Sequence, residues 1–69
     1  EVLAARREMS RAAQGAIDRR DWAGAEAELR RLLTSAPRSA EARVRLGRVL
    51  QEQGRLDEAY DAYRAALEQ

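Results

Sequence analysis

Neither cysteine nor histidine occurs in this chain of 69 residues. The first absence removes disulfides, thiolate metal sites and cysteine nucleophiles, and it leaves the redox compartment open. A cytoplasmic setting is expected ahead of a periplasmic one. The second removes the commonest general base, the usual metal ligand and the side chain that titrates near neutral pH. Lysine is missing too, so all 13 basic residues are arginines. Usage rich in alanine and arginine is associated with GC-rich, chiefly bacterial genomes. Aromatics make up 4% of the chain and Pro37 is its only proline. No apolar run approaches the ~20 residues that span a bilayer and no signal peptide stands out, so membrane insertion is not expected. With 12 acids against the 13 arginines the net charge is +1. That balance gives no reason to expect nucleic acid as a partner.

What is present is helical punctuation. Thr34-Ser35-Ala36-Pro37-Arg38-Ser39 is a helix-breaking cluster. Ser39 is placed to cap a helix starting near Ala40, with Glu41 favourable in its first turn, and Asp21 to cap one starting at Trp22. Gly54 is placed to end the third helix. Between these signals apolar residues recur with helical spacing: Ala25, Leu29, Leu32 and Leu33; Ala59, Tyr63, Ala66 and Leu67; Leu46, Val49 and Leu50; and, more weakly, Met9, Ala12, Ala13, Ala16 and Ile17. Strand-like alternation is absent. The pattern predicts an all-α chain with helices over about residues 2–19, 22–36, 40–53 and 56–68. At this length it is at most one small domain. It begins on Glu1, and a piece excised or processed from a longer chain is expected.

An internal repeat follows from offsets. Ala25 and Ala59, Leu29 and Tyr63, and Leu33 and Leu67 are each 34 apart (59 − 25, 63 − 29, 67 − 33). Arg11/Arg45 and Arg30/Arg64 share that offset. With Leu46-Gly47, Leu50, Gly54, Ala59, Tyr63 and Ala66 in the second unit, and Ala13, Ala25, Leu29 and Pro37 in the first, the chain resembles the tetratricopeptide repeat family over nearly all its length. The resemblance implies two tandem helix-turn-helix repeats, about 6–39 and 40–69, as four antiparallel helices in right-handed superhelical stacking. It gives Gly47, Ala13, Ala59 and Ala25 the task of letting helices cross closely, Tyr63 and Leu29 that of filling the groove between hairpins, and Pro37 that of redirecting the chain. Four positions depart from the family pattern: Met9 and Arg43 stand where a large apolar residue such as Trp is usual, Arg20 where a turn glycine is expected, and Leu32 where a small residue is preferred. Gly15 lies mid-helix, at a cost of about 1 kcal/mol against alanine.

The resemblance also implies a function, that of a protein–protein interaction module. In this family the first helix of each hairpin lines a concave groove for a partner segment. Carried over by position, the groove residues are Arg7, Ser10, Arg11, Gln14 and Asp18 in one helix, and Glu41, Val44, Arg45, Arg48, Gln51 and Glu52 in the other. Arg11, Arg45 and Arg48 are suited to forking onto carboxylates or phosphates of an acidic partner. The alternative is a solvated face on which Glu8, Asp18 and Glu52 neutralise the arginines. The family's carboxylate clamp needs Lys and Asn, and this sequence has neither. Trp22 is expected in hairpin packing and Tyr63 in a structural place, while Tyr60 is open between structure and binding.

No enzyme is expected. Asp57, Glu58 and Asp61 form an acidic cluster, but Asp57 and Asp61 are helical neighbours near an N-terminus, where negative charge stabilises the helix dipole. No EF-hand loop, phosphate-cradling loop or nucleophile motif occurs, and no metal or cofactor is expected. The core is thin, and stacked repeats normally need about three units and a polar cap. Leu56, Tyr60, Tyr63 and Leu67 are therefore expected to expose an apolar face. That face raises the second reading, an oligomerisation or docking module appended to a larger protein, with a homo-oligomer among the possible assemblies.

Overall fold

The computed structural model describes the backbone of residues 2–68 and the side chains of residues 10–68. Its elements are α1 (Val2–Asp18), α2 (Trp22–Ser35), α3 (Ala40–Glu52) and α4 (Leu56–Leu67), with no strand among the described residues. All four expected helices are present, each ending one residue earlier than its periodicity predicts. Each packs on its neighbour in the chain: α1 on α2, α2 on α3 and α3 on α4. The result is two hairpins laid side by side.

The helix starts follow the expected capping chemistry. The Asp21 carboxylate accepts from the Gly24 N–H at 3.0 Å, and the Ser39 hydroxyl from the Ala42 N–H at 3.1 Å. Both hairpin turns close in the same way. In the first, the Asp21 N–H donates to the Ala16 carbonyl (2.8 Å) and the Arg20 N–H to that of Ile17 (2.9 Å). In the second, the Arg55 N–H donates to Leu50 and the Gly54 N–H to Gln51, both at 2.9 Å. This paired pattern requires one residue in the left-handed region. Gly54 takes it at φ +78° and Arg20 at φ +60°. The turn that lacks its glycine is thus built on the same plan, with an arginine held in a conformation that glycine adopts freely.

The core joins Ala13 and Ala16 of α1, Ala25, Leu29 and Leu32 of α2, Ala42, Leu46, Val49 and Leu50 of α3, and Ala59 of α4. Five of these ten are alanines, so the helices approach closely around a few large side chains, chiefly Leu29, Val49 and Leu50. Gly47 is the extreme case. A Cβ there would lie 2.7 Å from the Tyr63 ring, closer than real contacts allow. Tyr63 therefore packs inside its own hairpin, on α3, and its hydroxyl donates to Gln51 at 3.1 Å. That corrects one expectation: Tyr63 is partly buried against the core and does not belong to the exposed face. Ala12 also falls outside the core, being exposed. Met9 lies outside the residues whose side chains are described.

Arg43, at the usual place of a large apolar residue, is half-buried. Its Nη2 donates to the Pro37 carbonyl, tying the start of α3 to the link, while its Nε is buried without a partner among the described residues.

A polar cluster also crosses between the hairpins. Glu26 of α2 accepts at one carboxylate oxygen from Gln53 Nε2 (3.0 Å) and Arg55 Nη1 (2.7 Å), and at the other from Arg30 Nε (2.9 Å). Arg55 then forks onto Glu58 at 2.7 and 3.0 Å. The Glu26 side chain is only 15% exposed. Partial burial pushes its pKa up, but the donors from Gln53, Arg30 and Arg55 outweigh that and hold it below the ordinary carboxylate value. The hydrogen bonds from Arg55 lower that of Glu58, and the same contacts, Glu58 first and then Glu26, raise that of Arg55.

Candidate interaction face on the first helices of the hairpins

The face expected from the sequence is carried by α1 and α3. Ser10, Gln14 and Asp18 follow one another along α1 at four-residue steps, and Val44 and Arg48 do so along α3. The two helices are tied directly: Arg45 Nη1 donates to the Ser10 hydroxyl at 3.0 Å, and Arg45 Nη2 lies 3.6 Å from the Glu41 carboxylate. Ser10 and Arg45 are 35 residues apart, one more than the repeat. A pairing between neighbouring first helices was therefore legible as repeat length plus one, although the sequence reading did not use it.

Depressions lie on either side of this bridge. Towards the C-terminal ends of α1 and α3 is a cleft of about 350 Å³, lined by Gln14, Ile17 and Asp18 of α1, Arg20 and Trp22 at the turn, and Arg48 and Glu52 of α3. Trp22 and Ile17 are half-buried against the core and form its apolar part. Trp22 thus packs in the hairpin, as expected, and also lines the cleft. Gln14 donates to Asp18 at 2.9 Å. The side chains of Arg48, Arg20 and Glu52 are exposed and make no hydrogen bond or ion pair among the described residues. On the other side of the bridge is a hollow of about 620 Å³, where Ser10 and Glu41 meet Leu32, Ala36, Pro37 and the rest of the link.

Neither of these depressions is lined by Arg11, Gln51 or Val44. Arg11 lines a crevice between α1 and α2 with Gly15, Arg19 and Glu28, so it does not join Arg45 and Arg48. Gln51 is engaged by the Tyr63 hydroxyl. Val44 is 47% exposed, an isolated apolar residue on a polar surface. The Arg7 side chain lies outside the described residues.

The tetratricopeptide repeat sequence model matches residues 3–69. The chain belongs to the tetratricopeptide repeat family. Two hairpins with equivalent turns, small residues at the crossings and an open face on their first helices are the tetratricopeptide architecture in this chain. Comparisons with curated proteins and with solved structures return no match. The family generally mediates protein–protein interaction, and its repeats are typically non-catalytic. No described helix is long and apolar enough to cross a membrane.

Proposed function

We propose that the α1–α3 face binds an extended segment of a protein partner, and that the segment carries a carboxylate. One observation carries this reading: a cleft shared by both hairpins whose apolar wall, Trp22 and Ile17, is flanked by the guanidinium groups of Arg48 and Arg20, neither paired among the described residues. An apolar side chain against Trp22 and a carboxylate on Arg48 would use both features. A charge-assisted hydrogen bond of this kind contributes about 1.5–3 kcal/mol. A face already ordered by the Arg45–Ser10 bridge adds little ordering cost on binding. Arg48 is the main polar anchor in this reading, and Arg45 holds the face through its bond to Ser10. Arg11, in its separate crevice, is not an anchor.

A second reading is favoured by a different surface. Leu56, Tyr60 and Leu67 follow one stripe of α4 and are 62%, 64% and 87% exposed. Arg64 lies over the Tyr60 ring at 5.6 Å from its centre, which covers part of it. Such a row suits docking or self-association.

One experiment separates the two. The ¹⁵N-labelled chain is titrated with acidic peptides carrying one aromatic or aliphatic residue, and amide shifts are mapped. Perturbation of Gln14, Asp18, Trp22, Val44 and Arg48, weakened about tenfold or more (~1.4 kcal/mol) by the Arg45→Ala/Arg48→Ala double substitution with helicity retained, is the expected result. Shifts confined to Leu56, Tyr60 and Leu67 that grow with protein concentration would transfer the function to α4. Unchanged peptide binding by the double variant would remove both arginines from the site.

A further inference from the structure

Two packed hairpins can rotate against one another unless something directional prevents it. The apolar contact between α2 and α3 resists separation but is poor at defining an angle, because hydrophobic burial has no direction and ridge-into-groove packing tolerates a spread of crossing angles. Hydrogen bonds to charged groups are directional and short. Among the described residues, polar side-chain bonds join the hairpins at two separated places. One is Arg45 to Ser10 at 3.0 Å, on the α1–α3 seam. The other is Glu26, which takes Gln53 at 3.0 Å and Arg55 at 2.7 Å from the turn between α3 and α4. Two points held apart define a relative rotation that one point leaves free.

We infer that Glu26 is a positioning residue that sets the angle between the two hairpins, and through it the width of the α1–α3 face. Its neighbours suit this task. Arg30, one turn along α2, holds the second carboxylate oxygen at 2.9 Å, so the Glu26 side chain is fixed from its own helix. Arg55 is held by the fork onto Glu58, so the receiving turn is fixed by α4. Glu26 is mostly shielded, unlike the exposed pairs of the chain, and salt screens it less. The device is local to this junction. The residue 34 places on from Glu26 is Tyr60, which has no carboxylate (60 − 26). Any helix stacked on α4 would meet an aromatic surface there. The bearing of the angle on ligand binding rests on the groove reading above, whereas the angle itself does not.

The absence of cysteine makes the test direct. Spin labels on Ala12→Cys in α1 and Glu68→Cys after α4, both exposed and outside the cluster, report the hairpin-to-hairpin distance by pulsed electron resonance. Glu26→Gln and Arg55→Gln should each broaden that distance distribution at least about twofold while helicity by circular dichroism is kept, and the double variant should broaden it no further than either alone. Arg31→Gln breaks a pair confined to α2, Arg31–Glu28 at 3.2 Å, and should leave the distribution unchanged. An unaltered distribution in both single variants would overturn the inference. So would broadening that occurs only together with lost helicity, or broadening of equal size in Arg31→Gln. Peptide affinity that stays constant while the distribution broadens would leave the positioning role intact and count against the groove.

Discussion

Gly47 and Tyr63 are a matched pair, and the first hairpin holds its counterpart. Thirty-four residues upstream of each stand Ala13 and Leu29 (47 − 34, 63 − 34), both fully buried. A slightly larger residue on the first helix goes with a smaller one on the second, and a glycine with a tyrosine. The absence of a Cβ at Gly47 is therefore a packing requirement set by the ring 2.7 Å from where that atom would be. Gly47→Ala should destabilise the chain by about 1–3 kcal/mol through overpacking. Adding Tyr63→Leu, which recreates the pairing of the first hairpin, should recover part of that loss, so the two substitutions are strongly non-additive. Urea melts of the four variants in the cycle check this, and simple additivity would show that the ring does not set the requirement.

The first helix of each hairpin ends by the same backbone device, and the device is indifferent to the residue so long as the left-handed φ is reached. Gly54 reaches it without strain and Arg20 with it. A left-handed conformation costs an ordinary residue about 1–2 kcal/mol, part of which glycine gives back as unfolded-state entropy. Arg20→Gly should therefore stabilise the chain by up to about 1 kcal/mol. Gly54→Ala should destabilise it by about 1 kcal/mol, through backbone strain alone, because open space surrounds the added methyl. Thermal melts of both variants give the signs. The turn was legible at Gly54 and hidden at Arg20, since a type-based reading sees the glycine and misses the geometry. The caps at Asp21 and Ser39 were legible because their donors lie within three residues.

For the molecule as a whole, the junction between hairpins combines apolar packing with the Glu26 cluster. Glu26 and Glu58 both have pKa values lowered in the fold from an ordinary value of 4.5. A carboxylate lowered in this way stabilises the fold above its unfolded pKa, and that contribution disappears as pH falls through the lowered, folded value. Stability should thus be flat in this respect near neutrality and fall below about pH 4.5. In Glu26→Gln the acid-side loss should be shallower. Guanidinium melts at pH 3 and pH 7 for both proteins check this, and identical losses would show that Glu26 does not contribute. Glu26–Arg30 and Arg55–Glu58 have local helical spacing, but the contacts that join the hairpins were not legible in the sequence. Glu26 and Arg55 lie 29 positions apart, which matches neither the helical period nor the repeat. The residues expected along the first helices are divided among separate depressions. Gln14, Asp18 and Arg48 line one cleft and Ser10 the hollow across the bridge, while Arg11 lines a different crevice and Gln51 accepts from Tyr63 of α4.

Local rules, operating within a few residues, determined the four helices, their caps, the break at Pro37 and the 34-residue duplication. All of these depend on spacing along the chain, and spacing is what a sequence displays. Tertiary structure decided which of two equivalent arginines reaches a neighbouring helix, which turn strains a non-glycine residue, and that Glu26 grips a turn from the other hairpin. Those outcomes depend on the rotation of one hairpin against the next, a quantity that exists only once both are packed.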